Sequence, residues 1–272
     1  MTRRSGGASD ARLRAEVRDR YGRIASESGG GTDSTAPQCC DSSAGGGCCG
    51  DPGTPLGLGY TPEEVSTVPH GADLGLGCGN PTAILRLRPG QSVVDLGSGA
   101  GIDCFLAAKK VGPNGSVLGV DMAPEMVSKA RANARRGGYR NVRFLRGEIQ
   151  HLPIDDASVD VVISNCVLNL APDQGSVYRE AFRVLRPGGE LAVSDMVATR
   201  PISARERADP QLWASCSSGA LRPTQVRSIL RRAGFVDVQV KPRNPEGPTD
   251  RRIDPASYGI ISADIRARKP YG

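Results

Sequence analysis

"VVDLGSGAGIDC" (residues 93–104) decides how this chain is read. Val93 to Leu96 form a short apolar run of the kind that makes a buried strand. Gly97, Gly99 and Gly101 follow at alternate positions, and "GIDCFLAAKKVG" then carries a helical pattern that ends in a glycine. Strand, glycine turn and helix in that order place a ligand against bare backbone at the carboxyl end of a strand. The glycine spacing departs from the dinucleotide pattern G-x-G-x-x-G. No G-K-[ST] follows, which removes the phosphate-loop reading.

The same alternation extends on the carboxyl side. "SVLGVDM" reads as a strand, "APEMVSKARANARRGG" as a helix, and "VRFLRGEI" and "VDVVISN" as strands. "QGSVYREAFRVLRPGG" reads as a helix stopped by Pro187-Gly188-Gly189, and "ELAVSDM" as a strand. Short apolar runs alternating with helical patterns predict an α/β fold, a doubly wound parallel sheet with helices on both faces. After residue 200 the pattern predicts helices and a strand, and "YGIISADIRARK" predicts a last strand. On the amino side, Leu13, Val17, Tyr21 and Ile24 recur at helical spacing. Short helices are predicted over 62–67 and 80–87. Residues 26–59 are rich in Gly, Ser and Pro and predict a flexible arm with two Cys-Cys pairs. The expected divisions are an N-terminal helix and Cys-rich arm (1–60), a donor-binding domain (61–200) and a smaller C-terminal α+β substrate-binding region (201–272).

Composition narrows the function. The formal charge is +6, but the basic residues are dispersed and aromatics make up only 4%, which argues against a nucleic-acid platform. No apolar run reaches the roughly 20 residues of a membrane span, and the N-terminus has basic residues without a following apolar core. A cytoplasmic protein is expected. Its eight cysteines then call for metal, redox or catalytic chemistry in place of structural disulfides.

A second element strengthens the cofactor reading. Val120-Asp121 ends the second strand about 20 residues beyond the loop, where a carboxylate accepts ribose hydroxyls. "GEI" (147–149) follows the third strand and flanks the place of an adenine, and Asn165 ends the fourth. The ensemble resembles a Rossmann-like class I S-adenosylmethionine methyltransferase over roughly residues 80–196. That resemblance implies donor contacts from Asp95, Gly97, Ser98, Gly99, Gly101, Asp103, Asp121, Met122, Glu148, Ile149 and Asn165.

Three cysteines stand at chain turns: Cys78 in "GLGCGNPT", Cys166 in "SNCVLNL" and Cys216 in "LWASCSSGAL". Thiolates are soft ligands. Three of them hold a trivalent pnictogen in a trigonal pyramid with its lone pair free to attack an electrophilic methyl. The leaving thioether is neutral, so position is the main demand. Through "GLGCGNP", "DLGSGAGIDC", "GVDM", "SNCVLNL", "LRPGGELAVSD", "CSSGAL" and "ISADIRARKP" the chain resembles the arsenite S-adenosylmethionine methyltransferase family. The resemblance implies S-adenosylmethionine as donor and arsenite, held as a thiol adduct, as acceptor. It implies As(III) binding by Cys78, Cys166 and Cys216, and thioredoxin or glutathione as reductant. It also implies a further N-terminal cysteine in disulfide relay, for which Cys49 or Cys48 fits by spacing.

Cys104 opens a helix, whose positive end is expected to lower its thiol pKa and suit it to relay; packing is the alternative. Cys39, Cys40, Cys48 and Cys49 lack the C-x2-C spacing of zinc ribbons and suit a mobile metalloid-capturing arm. His70 and His151 are expected at the surface, Trp213 as a subdomain anchor, and Asp195 as structural. Two other readings stay open, a quinone-type carbon methyltransferase and a non-enzymatic metalloid-binding protein.

Overall fold

A computed structural model describes residues 7–28, 55–243 and 259–272. Cys39, Cys40, Cys48 and Cys49 lie outside the described residues. Seven strands form one sheet in the order β3-β2-β1-β4-β5-β7-β6. The five parallel strands are β1 (Ser92–Leu96), β2 (Ser116–Asp121), β3 (Val142–Arg146), β4 (Val159–Asn165) and β5 (Leu185–Ala198). β7 (Ile260–Arg268) pairs antiparallel with β5, and β6 (Val236–Pro242) pairs antiparallel with β7 at the edge of the sheet.

The central strands are Val- and Ile-rich because both faces are covered. On one face α4 (Ile102–Val111) and α5 (Pro124–Arg136) bury Phe105, Ala107, Val127 and Ala130 against Val93, Val117 and Ile163. Phe105 is fully buried and stacks edge-on against Phe144 with ring centroids 5.8 Å apart; truncating such a ring costs about 3–5 kcal/mol. On the other face α6 (Gln174–Val184) and α9 (Pro223–Arg232) bury Val177, Tyr178, Val226 and Leu230 against Val162, Leu191 and Ile265. Pro124 and Pro223 sit at the first helical turn, where the missing N–H costs nothing.

The helix predicted to run to Pro187-Gly188-Gly189 stops at Val184 instead. Leu185 is buried and extended and pairs with Val159. The ladder then shifts before Val161 pairs with Glu190, so the Pro-Gly-Gly stretch becomes an irregularity in β5. A buried apolar residue and a ladder partner outweigh the helix-stop signal there.

Neighbouring connections run in opposite directions from β1, toward β2 on one side and β4 on the other. Such a reversal opens a crevice at the carboxyl ends of β1 and β4. Helix α1 (Gly7–Glu27) lies against α5 and against α8 (Pro210–Ala214), closing that side, and the short helices α2 (Pro62–Ser66), α3 (Pro81–Ile84) and α7 (Ala204–Ala208) lie in the connections. No helix among the described residues is long and apolar enough to cross a membrane.

Candidate active site

The crevice is a cleft walled by the loop Gly97–Ala100, by Asp121 and Met122 after β2, and by Gly147, Ile149 and Gln150 after β3. Asn165 and Cys166 at the end of β4 form its floor. Asp121 accepts the backbone N–H of Gly99 at 2.9 Å through one oxygen and that of Ala123 at 2.9 Å through the other. These bonds pin the glycine loop to β2, and each oxygen keeps a further lone pair. A Cβ placed on Gly99 would meet nothing within 4 Å, so the loop faces open space. Glu148 is exposed and is not part of this wall, and the adjoining Gln150 is. Gly101 does not face the cleft either: a Cβ there would stand 2.8 Å from the rings of Phe105 and Phe144, so its lack of a side chain serves helix–sheet packing.

One buried network ties this cleft to the cysteine loops. Asn165 Nδ2 donates to Asp103 at 3.0 Å, to Tyr60 Oη at 2.9 Å and to Gly79 O at 2.8 Å, and Asn165 Oδ1 accepts the Cys78 N–H at 3.0 Å. Tyr60 Oη in turn donates to Asp103 at 2.8 Å. Burial pushes the Asp103 carboxyl up to about 6 even though Asn165 and Tyr60 pull it down. Nothing in the sequence marks Tyr60; it follows the Gly-rich stretch, and only the fold brings it beside Asp103.

The loop "GLGCGN" lies flat on this network because it has no side chains on either side of its thiol. A Cβ on Gly77 would stand 2.9 Å from Asn165 Nδ2, and one on Gly79 would stand 2.7 Å from Ser194 Cβ. The close approach carries Cys78 under β5, where its thiol donates to Ser194 O at 3.5 Å.

Cys166 and Cys216 both have left-handed backbones, with φ of 56° and 62°. Such conformations cost non-glycine residues about 1 kcal/mol or more and concentrate at functional sites. Cys216 follows the short helix α8, which starts at the Asp209 cap and stops at Ser215. It occupies a post-helix position usually taken by glycine. Asn169 Nδ2 donates to Cys216 O at 2.9 Å, and the Cys216 thiol donates to Cys166 O at 3.4 Å.

The structure therefore brings Cys78, Cys166 and Cys216 into one buried cluster, walled by Val17, Leu170, Met196 and Trp213. Cys166 lies between the other two: its backbone oxygen accepts the Cys216 thiol at 3.4 Å, and its sulfur neighbours that of Cys78. Its sulfur, that of Cys78 and a carboxylate oxygen of Asp195 all lie within 4.8 Å of one another. Burial pushes the Cys78 thiol up. Hydrogen bonding to Cys166, together with burial, pushes Cys216 well up. The bond from Cys216 draws Cys166 down, but the bond to Cys78 and burial outweigh it. All three sulfurs thus rest as neutral thiols. Met122 packs on the same cluster and also lines the cleft, as Cys166 does, so the thiols adjoin the cleft.

Cys104 is elsewhere. It is fully buried, and its thiol donates to Asp95 Oδ2 at 3.2 Å. The expected lowering of its pKa by the helix end is overturned. Burial comes first and the Asp95 charge second, and both push the thiol well above its usual range. His70 and His151 are exposed. Trp213 donates from Nε1 to Leu170 O at 2.9 Å and forms a wall of the thiol cluster.

Asp195 is buried beneath the cysteines. It accepts backbone N–H groups from Leu168 at 2.9 Å, Asn169 at 3.2 Å and Met196 at 2.7 Å, so it ties the turn after Cys166 to β5. Burial nevertheless pushes its carboxyl from 3.8 up to about 7. A raised carboxyl leaves the folded state unpenalised below the unfolded value and fully penalised above the folded one. The stability of the wild type relative to Asp195→Asn should therefore fall as pH rises from 3.8 to about 7, by something on the order of 2–4 kcal/mol. Calorimetric melting of both proteins across that window checks it; a difference that stays flat with pH would contradict the burial effect.

Comparison with known proteins gives a concordant family. A family described as "Methyltransferase domain" matches residues 87–234. The chain is similar to an arsenite methyltransferase of Halobacterium salinarum, 47% identical over 264 residues, covering 94% of this chain and 66% of that protein. It is also similar to one from Aquipseudomonas alcaligenes, 38% identical over 248 residues, covering 89% and 67%. Among solved structures it resembles an arsenic (III) S-adenosylmethionine methyltransferase from Chlamydomonas reinhardtii, at 35% identity and a TM-score of 0.59, covering 79% of this chain and 72% of that one. The chain spans about two thirds of the length of the two curated relatives.

Proposed function

We infer, for a chain that belongs to the arsenite methyltransferase family of S-adenosylmethionine-dependent enzymes, that it methylates thiol-bound As(III). The observation that carries this reading is the gathering of Cys78, Cys166 and Cys216 in one buried cluster beside the glycine cleft. A quinone-type carbon methyltransferase has no use for that cluster, and a metalloid-binding protein has no use for the cleft.

The cleft fits the methyl donor. Its open face over Gly99, the free lone pairs of Asp121 and the wall of Met122 and Ile149 suit a ribose and a base. Asp95, Gly97, Ser98, Asp103 and Asn165 complete the expected contacts. When bound, S-adenosylmethionine supplies an electrophilic methyl on a sulfonium.

The chain's own residues do the rest. Each neutral thiol replaces one hydroxide of arsenous acid, and the thiol proton leaves with that hydroxide as water. Three exchanges give a neutral trithiolate without net proton release, which suits a site where burial holds thiols protonated. Val17, Leu170, Met196 and Trp213 keep water from the bound arsenic. Asn165, bonded to Asp103, Tyr60 and the Cys78 backbone, fixes the thiol loop relative to the cleft. Transfer of a methyl to the arsenic lone pair raises arsenic from III to V. Two electrons return when two protein thiols close to a disulfide, and thioredoxin or glutathione then reopens it. Cys49 and Cys48 are the relay candidates; Cys104, buried against Asp95 with its thiol pushed up, is not placed to join them. The reducing cytoplasm is the compartment this chemistry requires.

Incubating the reduced protein with arsenite, a thiol reductant and methyl-labelled donor, followed by arsenic speciation, should yield labelled methylated arsenicals. Labelled donor left intact beside unmethylated arsenite would sink the reading.

A further inference from the structure

Helix α1 covers the thiol cluster and the cleft with one face. Leu13, Val17 and Tyr21, at successive helical turns, pack on the cluster of Cys78, Cys166 and Cys216, and Val17 is only 2% exposed. One turn on, Ile24 and Ala25 pack on Ala123 and Met126, immediately after Asp121. Arg14, Val17 and Tyr21 stand on the same cleft wall as Gly99 and Asp121. Tyr21 Oη lies 3.8 Å from Cys216 Sγ.

We propose that α1 is the cover of the thiol site and that Tyr21 is a positioning residue for Cys216, its hydroxyl orienting the sulfur and its ring, with Val17, shutting foreign thiols out. The proposal rests on the arsenite reading above and concerns access to that site. Bonds between trivalent arsenic and sulfur exchange by association. The entering sulfur bonds arsenic, a protein sulfur leaves, the proton passes from the entering to the leaving thiol, and arsenic stays trivalent. The reductant that the cycle needs is itself a thiol. A site open to it would surrender arsenic before the methyl transfer, so the cysteines need a cover that the reductant does not cross while arsenic is bound. Among the described residues, α1 packs on the thiol cluster and also lines the donor cleft. Loading arsenic onto the buried thiols therefore requires α1 to lift, and the site is enclosed when it returns.

The test uses the full-length reduced chain. Trp213 is its single tryptophan and lies in the thiol cluster, so its fluorescence reports occupancy of this site without interference from the N-terminal cysteines. The protein is loaded with arsenite and chased with dimercaptosuccinate in a stopped-flow instrument. In the wild type, release should be limited by lifting of α1 and be independent of dimercaptosuccinate concentration. In Tyr21→Phe, release should quicken about fivefold, the equivalent of one lost hydrogen bond. In the double variant Val17→Ala, Tyr21→Ala it should quicken about thirtyfold or more and become proportional to dimercaptosuccinate. A merely structural role for Tyr21 would shift the unfolding midpoint without changing that concentration dependence. Wild-type release already proportional to the dithiol, or both variants releasing within about twofold of wild type, would overturn the proposal; Tyr21→Phe decides the positioning claim if the double variant does not fold. A wild type whose Trp213 emission ignores arsenite and which retains none after desalting would instead overturn the arsenite reading itself, and this inference with it.

Discussion

Cys166→Ser should lower methyl transfer to arsenite by about a thousandfold or more while donor binding, followed by calorimetry, changes little. Cys166 lies between the others, its sulfur within 4.8 Å of Cys78 Sγ and its backbone oxygen 3.4 Å from the Cys216 thiol, so its loss separates the remaining two. Cys78→Ser or Cys216→Ser each leaves an adjacent pair that includes Cys166, and should be less damaging than Cys166→Ser to arsenite retention. A serine hydroxyl does not substitute, because oxygen is a hard ligand that water displaces from a soft centre. Nor is the backbone to blame: serine tolerates the left-handed conformation at this turn about as well as cysteine. The measurement is labelled methyl transfer with arsenic speciation, alongside a melting curve to show that the variant folds. Turnover within about tenfold of wild type would remove the three-sulfur site from the mechanism.

How much of this was legible in the sequence depends on the kind of signal. The strands of the parallel sheet announce themselves because burial on both faces demands unbroken apolar runs such as "VVDL" and "VDVVISN". The glycine loop and Asp121 are legible because a ligand's approach to backbone needs those residue types at that spacing. The joining of β6 and β7 to the same sheet is not, because antiparallel pairing with β5 is a long-range event with no local mark. Tyr21 and Tyr60 share that limit. The spacing of Leu13, Val17, Tyr21 and Ile24 shows a helix with an apolar face, but not that the face meets a thiol 195 residues away in the chain. Cys104 failed for a different reason. A helix end acts locally, whereas full burial beside Asp95 is set by the fold and governs the thiol. Asp195 was read as structural at a strand end; its three backbone acceptances and its closeness to Cys78 and Cys166 appear only when the turn after β4 folds over it.

Gly219→Ala is expected to have the other large effect, and it acts through the same closure. The segment "CSSGAL" (216–221) must reach the turn after β4 for its thiol to meet Cys166. At Gly219 the two segments touch backbone to backbone: a Cβ there would lie 1.7 Å from Asn169 O. Gly219 O also accepts Gln174 Nε2 at 2.8 Å, and Asn169 Nδ2 holds Cys216 O. No rotamer change relieves a clash with a backbone oxygen, so the whole Cys216 turn must back away. The methyl group should destabilise the fold by about 2–4 kcal/mol and draw Cys216 off the other two sulfurs. Two readouts separate these consequences. The urea midpoint should drop, and at a urea-free temperature where the variant is still folded, X-ray absorption of bound As(III) should show two protein sulfurs where the wild type shows three. Methyl transfer should fall by about a hundredfold or more, since a turn displaced by even 1 Å loses the geometry the reaction needs. A variant that melts lower yet keeps three sulfurs on arsenic would mean that the turn yields elsewhere, and that Asn169 and Gln174, not the bare backbone at Gly219, hold Cys216 against Cys166.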